Sequence, residues 1–229
     1  MAMSLDGRTA MASGESQWIT GPDARADVQQ WRAQSCAIVT GVDSIIHDNS
    51  SLTVRPDELR IANPEAAASK QPLRVVLDSH LRIPLDAKIL SLPGGQTIVA
   101  YSTDCEKSDP LMVQNKRHAL QTLGVEVVAF PPKTSDESGR VDLAAVMALL
   151  AQRECNNVLL ETGATLAGTA VAEGLVDELL IYMAPVLMGS DARPLFQLPF
   201  TTMTEKVPLV VEDIRAFGQD WRLRVKPAR

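Results

Sequence analysis

The segment Val158–Thr169 places an acidic residue beside a glycine-containing turn. A short apolar run leads into Glu161, and Gly163 and Gly168 follow before a helical pattern. Glycines at a strand-to-helix turn let a ligand approach the backbone closely, and the first N–H groups of a helix have no partner within it. Such a turn can bind an anion, for example a pyrophosphate. A tight turn needed only to pack the helix on the sheet explains the same residues equally well.

This segment matches neither of two common phosphate-binding motifs. Thr169 and Ala170 follow Gly168, so the lysine of a P-loop is missing. Gly163 and Gly168 lie five positions apart, which does not fit the Gly-x-Gly-x-x-Gly pattern of dinucleotide-binding folds. The sequence therefore indicates an anion site without identifying the anion.

Two polar loops carry further residues that could bind a ligand. In Gly14–Thr20, Ser16 could donate a hydrogen bond and Trp18 could cover a flat cofactor ring. Such a segment more often forms a capped turn whose tryptophan packs in the core. In His47–Arg55, the guanidinium of Arg55 could hold a phosphate through its rigid fork of donors. A single arginine of this kind is more often a solvated surface residue.

Composition and charge limit the classes of function. The 229 residues are 45% hydrophobic and 22% charged, with a mean hydropathy of +0.01, which is typical of a soluble globular protein. No apolar run approaches the ~18 residues of a membrane-spanning helix. The formal charge of −6 argues against nucleic-acid binding, so a few placed arginines would have to hold a phosphorylated ligand. We expect a cytoplasmic protein that binds no membrane, and no metal, because neither cysteines nor histidines have a metal-ligand spacing.

Alternating strands and helices must position these residues. Apolar runs rich in β-branched residues predict strands at Cys36–Thr40, Arg74–Asp78, Thr97–Tyr101, Val125–Ala129, Val158–Glu161 and Glu178–Ala184. Helical patterns begin near Pro22, after Gly163 and after Asp142. Repeated alternation of this kind is typical of a parallel α/β sheet.

Near the end of the chain the pattern changes. Trp221–Lys226 alternates apolar and basic residues, which predicts an antiparallel pair with Leu209–Ile214 and one wet face. Pro131–Gly139 is interpreted as a mobile surface loop. No linker divides the sequence, so we expect a single α/β domain over residues 1–229.

Six motifs occur in a recognisable order: Met3–Ala10, Gly14–Thr20, Leu52–Arg55, Val158–Thr169, Gly174–Leu179 and Ala184–Gly189. Together they resemble the reductase half of the bacterial bifunctional riboflavin-biosynthesis deaminase/reductase, over essentially the whole chain. The resemblance implies a dihydrofolate-reductase-like, three-layer αβα fold, with a mostly parallel central sheet and an antiparallel C-terminal edge. It also implies NADPH as hydride donor and a homodimer. The implied reaction converts 5-amino-6-(5-phosphoribosylamino)uracil to 5-amino-6-(5-phosphoribitylamino)uracil.

The resemblance also implies which residues bind the ligands. Those expected to contact the substrate are Ser16, Arg32, Leu52, Arg55 and Glu161. Those expected to contact the cofactor are Ala2, Trp18, Ser44, Asp48, Ser79, Gly163, Ala164, Thr165, Leu166, Ala167, Gly168 and Thr169. Asp48 and Glu161 are the candidate catalytic residues: Asp48 would orient groups beside the nicotinamide, and Glu161 would bind polar edges of the uracil or sugar. Arg32 and Arg55 are expected to hold the 5-phosphate.

Bifunctional members of that family also carry an N-terminal zinc deaminase with His-x-Glu and Pro-Cys-x-x-Cys motifs, and this sequence contains neither. The chain is therefore either a standalone reductase or part of a longer protein, and a deaminase could be its partner. Two alternatives stay open. One is a reductase of the same fold that acts on a diaminopyrimidinone or a pteridine, and the other is a non-catalytic dinucleotide-binding protein.

Overall fold

The computed structural model describes residues 1–133 and 139–228, and the expected loop over Pro131–Gly139 falls largely outside them. The α-helices within these residues are α1 (Pro22–Gln34), α2 (Val42–Asp48), α3 (Pro64–Ser69), α4 (Thr103–Ser108), α5 (Pro110–Thr122), α6 (Leu143–Gln152) and α7 (Ala164–Ala172). The β-strands are β1 (Ala2–Ser4), β2 (Arg8–Ala10), β3 (Ala37–Gly41), β4 (Leu73–Leu77), β5 (Thr97–Ser102), β6 (Glu126–Phe130), β7 (Val158–Leu160), β8 (Leu179–Ala184), β9 (Arg193–Pro194), β10 (Leu209–Phe217) and β11 (Asp220–Pro227). No helix in the described part of the chain is both long and apolar enough to span a bilayer.

These elements form two compact units. Residues 1–28 and 162–229 make the first unit, and residues 29–161 make the second. The expectation of a single domain over the whole chain stays a prediction. The predicted alternation of strands and helices is confirmed, as is the mixed α/β class with an antiparallel edge.

A five-stranded parallel sheet forms the centre of the second unit, in the order β6-β5-β4-β3-β7. On one face, Ile38 packs with residues of α2 and α5, and on the other face Val39 packs with residues of α6. Strands buried on both sides need apolar residues at successive positions, which explains the continuous runs in the sequence. Each fully buried aliphatic side chain contributes roughly 1.5–3 kcal/mol to folding.

The strand order changes direction next to β3. The chain adds β4, β5 and β6 to one side of β3 and then places β7 on the other side. The backbone N–H of Glu161 donates to the Val39 carbonyl at 3.0 Å, which fixes Glu161 where β7 ends. In open α/β sheets, ligands bind outside the carboxyl ends of the strands at such a switch point. The sheet therefore presents Glu161 where a ligand is expected.

The first unit contains a four-stranded sheet in the order β1-β8-β11-β10, in which only the β1–β8 pair is parallel. The antiparallel pairing of β11 is confirmed, but the expected division into wet and buried faces does not hold at Trp221 and Arg222. Arg222 is buried and binds Asp27 of α1 (Nη1–Oδ2 2.7 Å), whereas Trp221 is exposed. The Tyr182 hydroxyl donates to the same carboxylate at 2.5 Å, and burial together with this bond raises the pKa of Tyr182. A buried carboxylate on α1 thus draws Arg222 inward while Trp221 stays in solvent, whereas Val225, on the same face as Trp221, is buried.

Candidate functional site

Glu161 and Arg32 form a bidentate ion pair in the second unit. Arg32 lies in the last turn of α1, and its Nε and Nη2 donate to the two carboxylate oxygens of Glu161 at 2.7 and 2.6 Å. The two side chains are only 12% and 22% exposed. Burial lowers the pKa of Arg32, but attraction to Glu161, hydrogen bonds with it and attraction to Glu58 outweigh burial and raise the pKa overall. The pair is therefore charged and fixed in orientation.

The remaining terminal nitrogen of Arg32 also has a partner. Its Nη1 donates to the Thr53 carbonyl at 2.9 Å. Every guanidinium nitrogen of Arg32 thus makes a hydrogen bond within the chain. This arrangement suits a residue that orients Glu161 and the loop at Thr53. Only the remaining N–H groups of Arg32 are left for the expected phosphate contact.

The loop Leu52–Arg55 is held from several directions. The side chain of Gln71 accepts from Val54 N at 2.8 Å and donates to Val54 O at 3.0 Å, and Gln29 Oε1 accepts from Arg55 N at 3.0 Å. Leu52 is buried and has a φ of 50°, a left-handed conformation that costs a non-glycine residue roughly 1–3 kcal/mol. A conformation of that cost persists only when its surroundings over-determine it.

Arg55 itself projects from this loop and is 44% exposed. Its Nη1 lies 2.7 Å from Oε1 of Glu58, three residues later, and Glu58 Oε2 accepts a 3.3 Å bond from Gln29 Nε2. An exposed pair of this kind contributes roughly 0.2–1 kcal/mol, so a bound anion can compete with Glu58 for the guanidinium. Arg55 is therefore a half-exposed cation on a fixed backbone.

Three further predicted residues follow β3 and β4 in the second unit. Ser44 and Asp48 lie in α2, which begins directly after β3, and Asp48 is its exposed last residue. Ser79 follows β4, and its Oγ accepts from Val141 N at 3.0 Å. Sequence patterns gave no indication of the supporting residues Gln29, Gln71 and Glu58. A fully buried glutamine such as Gln29 shows its role only through its partners.

The other predicted residues belong to the first unit. Ala2 lies in β1, opposite Tyr182 of β8, and Ser16 lies in the loop between β2 and α1. Trp18 of the same loop is 69% exposed, so it is not the core tryptophan that such segments usually contain. The guanidinium of Arg25 lies over its ring, 4.6 Å from the centroid.

The glycine turn forms the start of α7. Gly163 is the exposed N-cap and provides no side-chain cap, so the first N–H groups of the helix are open to an anion. A Cβ at Gly163 would meet nothing within 4 Å. At Gly168 a Cβ would lie 2.0 Å from the Gln197 carbonyl oxygen, in a segment that also donates from Gln197 N to Ala164 O at 3.0 Å. Gly168 is therefore needed for the close approach of the backbone at Gln197.

Among the described residues, no group of three or more His, Cys, Asp or Glu side chains could hold a metal ion. In the second unit, the described residues provide an oriented carboxylate at Glu161 and a half-exposed guanidinium at Arg55, which suit the binding of a polar, phosphorylated small molecule. In the first unit, they provide an exposed indole at Trp18 and an uncapped helix start at Gly163, which suit the binding of a dinucleotide.

Comparison with known proteins gives consistent matches along the chain. The family model described as "RibD C-terminal domain" matches residues 1–223. The chain is 39% identical over 225 residues to "Riboflavin biosynthesis protein RibD" of Escherichia coli (strain K12), covering 96% of this chain and 56% of that protein. It is 29% identical over 223 residues to the "5-amino-6-(5-phosphoribosylamino)uracil reductase" of Buchnera aphidicola subsp. Acyrthosiphon pisum, covering 96% of this chain and all of that protein (100%).

A solved structure gives the same result. Acinetobacter baumannii RibD (form 1) superposes with a TM-score of 0.81 at 39% identity, covering 100% of this chain and 57% of that one. The chain thus spans a little over half the length of the RibD relatives that it matches.

Proposed function

Because this chain belongs to the RibD C-terminal domain family, we propose that it reduces the ribosyl group of 5-amino-6-(5-phosphoribosylamino)uracil to a ribityl group, with NADPH as reductant. Its fold is the dihydrofolate-reductase-like fold of RibD reductase domains, and its family implies a nicotinamide dinucleotide cofactor. The observation that supports the proposal best is the oriented Arg32–Glu161 pair at the switch point of the parallel sheet.

The substrate residues have separate tasks in this proposal. Arg55 binds the 5-phosphate, since its guanidinium is half-exposed and its backbone is fixed. Glu161 accepts hydrogen bonds from the uracil or the sugar hydroxyls, and Arg32 holds its carboxylate in place. Ser16 donates a hydrogen bond to the substrate. Leu52, with its left-handed backbone conformation, shapes the loop that carries Arg55.

The start of α7 fits a dinucleotide. Its uncapped N–H groups and the open space at Gly163 suit a pyrophosphate, which Gly163–Thr169 would bind. When bound, the reduced nicotinamide would supply a hydride for C1 of the ribose in its ring-opened imine form, and the imine nitrogen would take up a proton to give the amine. We assign Ala2, Trp18, Ser44, Asp48 and Ser79 to the cofactor. Asp48 orients groups beside the nicotinamide.

The direct test combines the purified chain, NADPH and the ribosylaminopyrimidine while absorbance at the nicotinamide band is followed. We expect oxidation of NADPH that depends on the substrate. NADPH binding without oxidation would instead indicate a non-catalytic dinucleotide-binding protein. To test the choice of substrate, the deaminated and the non-deaminated ribosylaminopyrimidine compete for reduction by the chain. Preference for the deaminated compound supports the proposed substrate over a diaminopyrimidinone, and a pteridine is tested as a further competitor.

We also propose that the chain forms a homodimer through the apolar face of its antiparallel edge. The exposed apolar residues on this face of β10 and β11 are Leu209, Val211, Ile214 and Trp221. β10 is an edge strand, and a long exposed apolar edge favours pairing with another chain. Ile214→Arg should therefore produce monomers in sedimentation velocity, while Leu111→Arg, at an exposed leucine of α5, should not. A monomeric unsubstituted chain would refute this interface.

We place the protein in the cytoplasm as part of the same proposal. Deamination of the substrate precursor would then be carried out by a segment outside these residues or by a separate partner, since the deaminase motifs are missing from this sequence.

A further inference from the structure

Trp18 and Arg25 form a contact that the proposed site does not yet explain. Trp18 lies in the loop between β2 and α1, and Arg25 lies near the start of α1. The Arg25 Cζ atom is 4.6 Å from the centroid of the indole, which is cation–π geometry. Trp18 nevertheless remains 69% exposed, so the guanidinium covers only part of the ring.

The guanidinium has a fixed position of its own. Arg25 Nη1 donates to the carbonyl of Thr20, a buried residue, at 2.9 Å. The start of α1 is held in turn because Gly21 N donates to Asp220 Oδ2 at 2.7 Å. Arg25 is therefore tied to a helix start and to the backbone beside it, while Trp18 stands on an exposed part of the loop.

A tryptophan held in this way can act as a flat platform. An exposed indole can rotate about its side-chain bonds, and a contact that restricts this rotation reduces the entropy lost when a ligand stacks on the ring. Planar aromatic ligands stack on such rings in an offset arrangement. The part of the indole that Arg25 does not cover is available for this contact.

We propose that Arg25 is a positioning residue that holds the Trp18 indole so that its open surface stacks against a planar ring of the nicotinamide cofactor. The inference rests on the proposed function, because it requires that the chain bind this cofactor. Arg25 acts through Trp18, so its effect must disappear when the indole is removed.

The test uses the full chain labelled with 15N-tryptophan, which carries three indole groups. Trp18→Leu identifies the Trp18 resonance. Arg25→Met should shift that resonance and leave those of Trp31 and Trp221 in place. It should also weaken NADPH binding about 2- to 5-fold, the effect of an exposed cation–π contact. Arg25→Lys, which keeps the charge, should restore part of the affinity and guards against a folding defect in Arg25→Met.

Two controls separate positioning from general stability. Arg153→Met removes an arginine that is bound to Glu126 by a bidentate pair and should leave both the Trp18 resonance and NADPH affinity unchanged. In the Trp18→Leu background, Arg25→Met should have no further effect on affinity.

The role of Arg25 is overturned if Arg25→Met leaves the NADPH dissociation constant unchanged, or if it weakens NADPH binding equally with and without Trp18. In either case, turnover of the unsubstituted chain would still support the proposed function. No NADPH binding by the unsubstituted chain overturns both.

Discussion

Glu161→Gln tests the central ion pair by removing one charge while keeping the size of the side chain. Arg32 would lose its bidentate partner yet keep its charge in a site where the side chain is only 12% exposed. Breaking a fully buried pair costs roughly 3–5 kcal/mol, and partial exposure reduces this to about 2–3 kcal/mol. For a chain of this size, that loss corresponds to a fall in melting temperature of about 4–12 °C.

Burial can be separated from ion pairing with a matched pair elsewhere in the second unit. Glu126 and Arg153 also form a bidentate pair, through Nη1 and Nη2 of the arginine, but both side chains are 31% exposed. Glu126→Gln should therefore lower the free energy of unfolding by no more than about 1 kcal/mol. Urea unfolding of both variants, followed by circular dichroism, gives the comparison directly.

The double variant Arg32→Met/Glu161→Met completes the experiment. Removing both charges leaves no unpaired ion, so this variant should be more stable than Glu161→Gln. It should still lose catalytic efficiency, because the proposed contact between Glu161 and the substrate is missing. Equal losses of stability in Glu161→Gln and Glu126→Gln would refute the reasoning that burial makes the Arg32–Glu161 pair strong.

Three further predictions concern other residues. Arg55→Ala should raise KM for the phosphorylated substrate about 10- to 150-fold without changing NADPH affinity, because a charge-assisted bond contributes roughly 1.5–3 kcal/mol; steady-state kinetics with an unchanged KM would contradict the phosphate contact. Gly168→Ala should lower the free energy of unfolding by about 1–3 kcal/mol through its clash with Gln197, whereas Gly163→Ala should change it by less than about 0.5 kcal/mol; equal thermal melts would exclude the packing role. The hydrogen bond from Arg224 lowers the pKa of the Glu178 carboxyl below 4.5. The stabilising effect of this pair is therefore present at neutral pH and is lost as the pH falls through the folded-state pKa. In urea unfolding, the free energy of unfolding of Glu178→Gln should decline less below pH 4.5 than that of the unsubstituted chain, and parallel profiles would contradict this.

Several features of this protein could be read from the sequence because they depend on neighbouring residues. The inner strands of the parallel sheet are buried on both faces, so they appear as continuous apolar runs, as in Val75–Leu77 of β4. Glu161 and the glycine turn are adjacent along the chain, so their combination was visible as a motif. The motif order also led to the family, which the comparisons confirm.

Other features depend on which distant segments meet, and local patterns do not contain that information. Arg32 and Glu161 are 129 positions apart and meet because α1 leads into β3 and β7 pairs with β3. The role of Gly168 depends on the approach of the backbone at Gln197. Hydrophobic periodicity shows which side of an element is apolar, but not which side becomes buried. Arg222 is buried because α1 places the carboxylate of Asp27 beside it, and Trp221 stays in solvent.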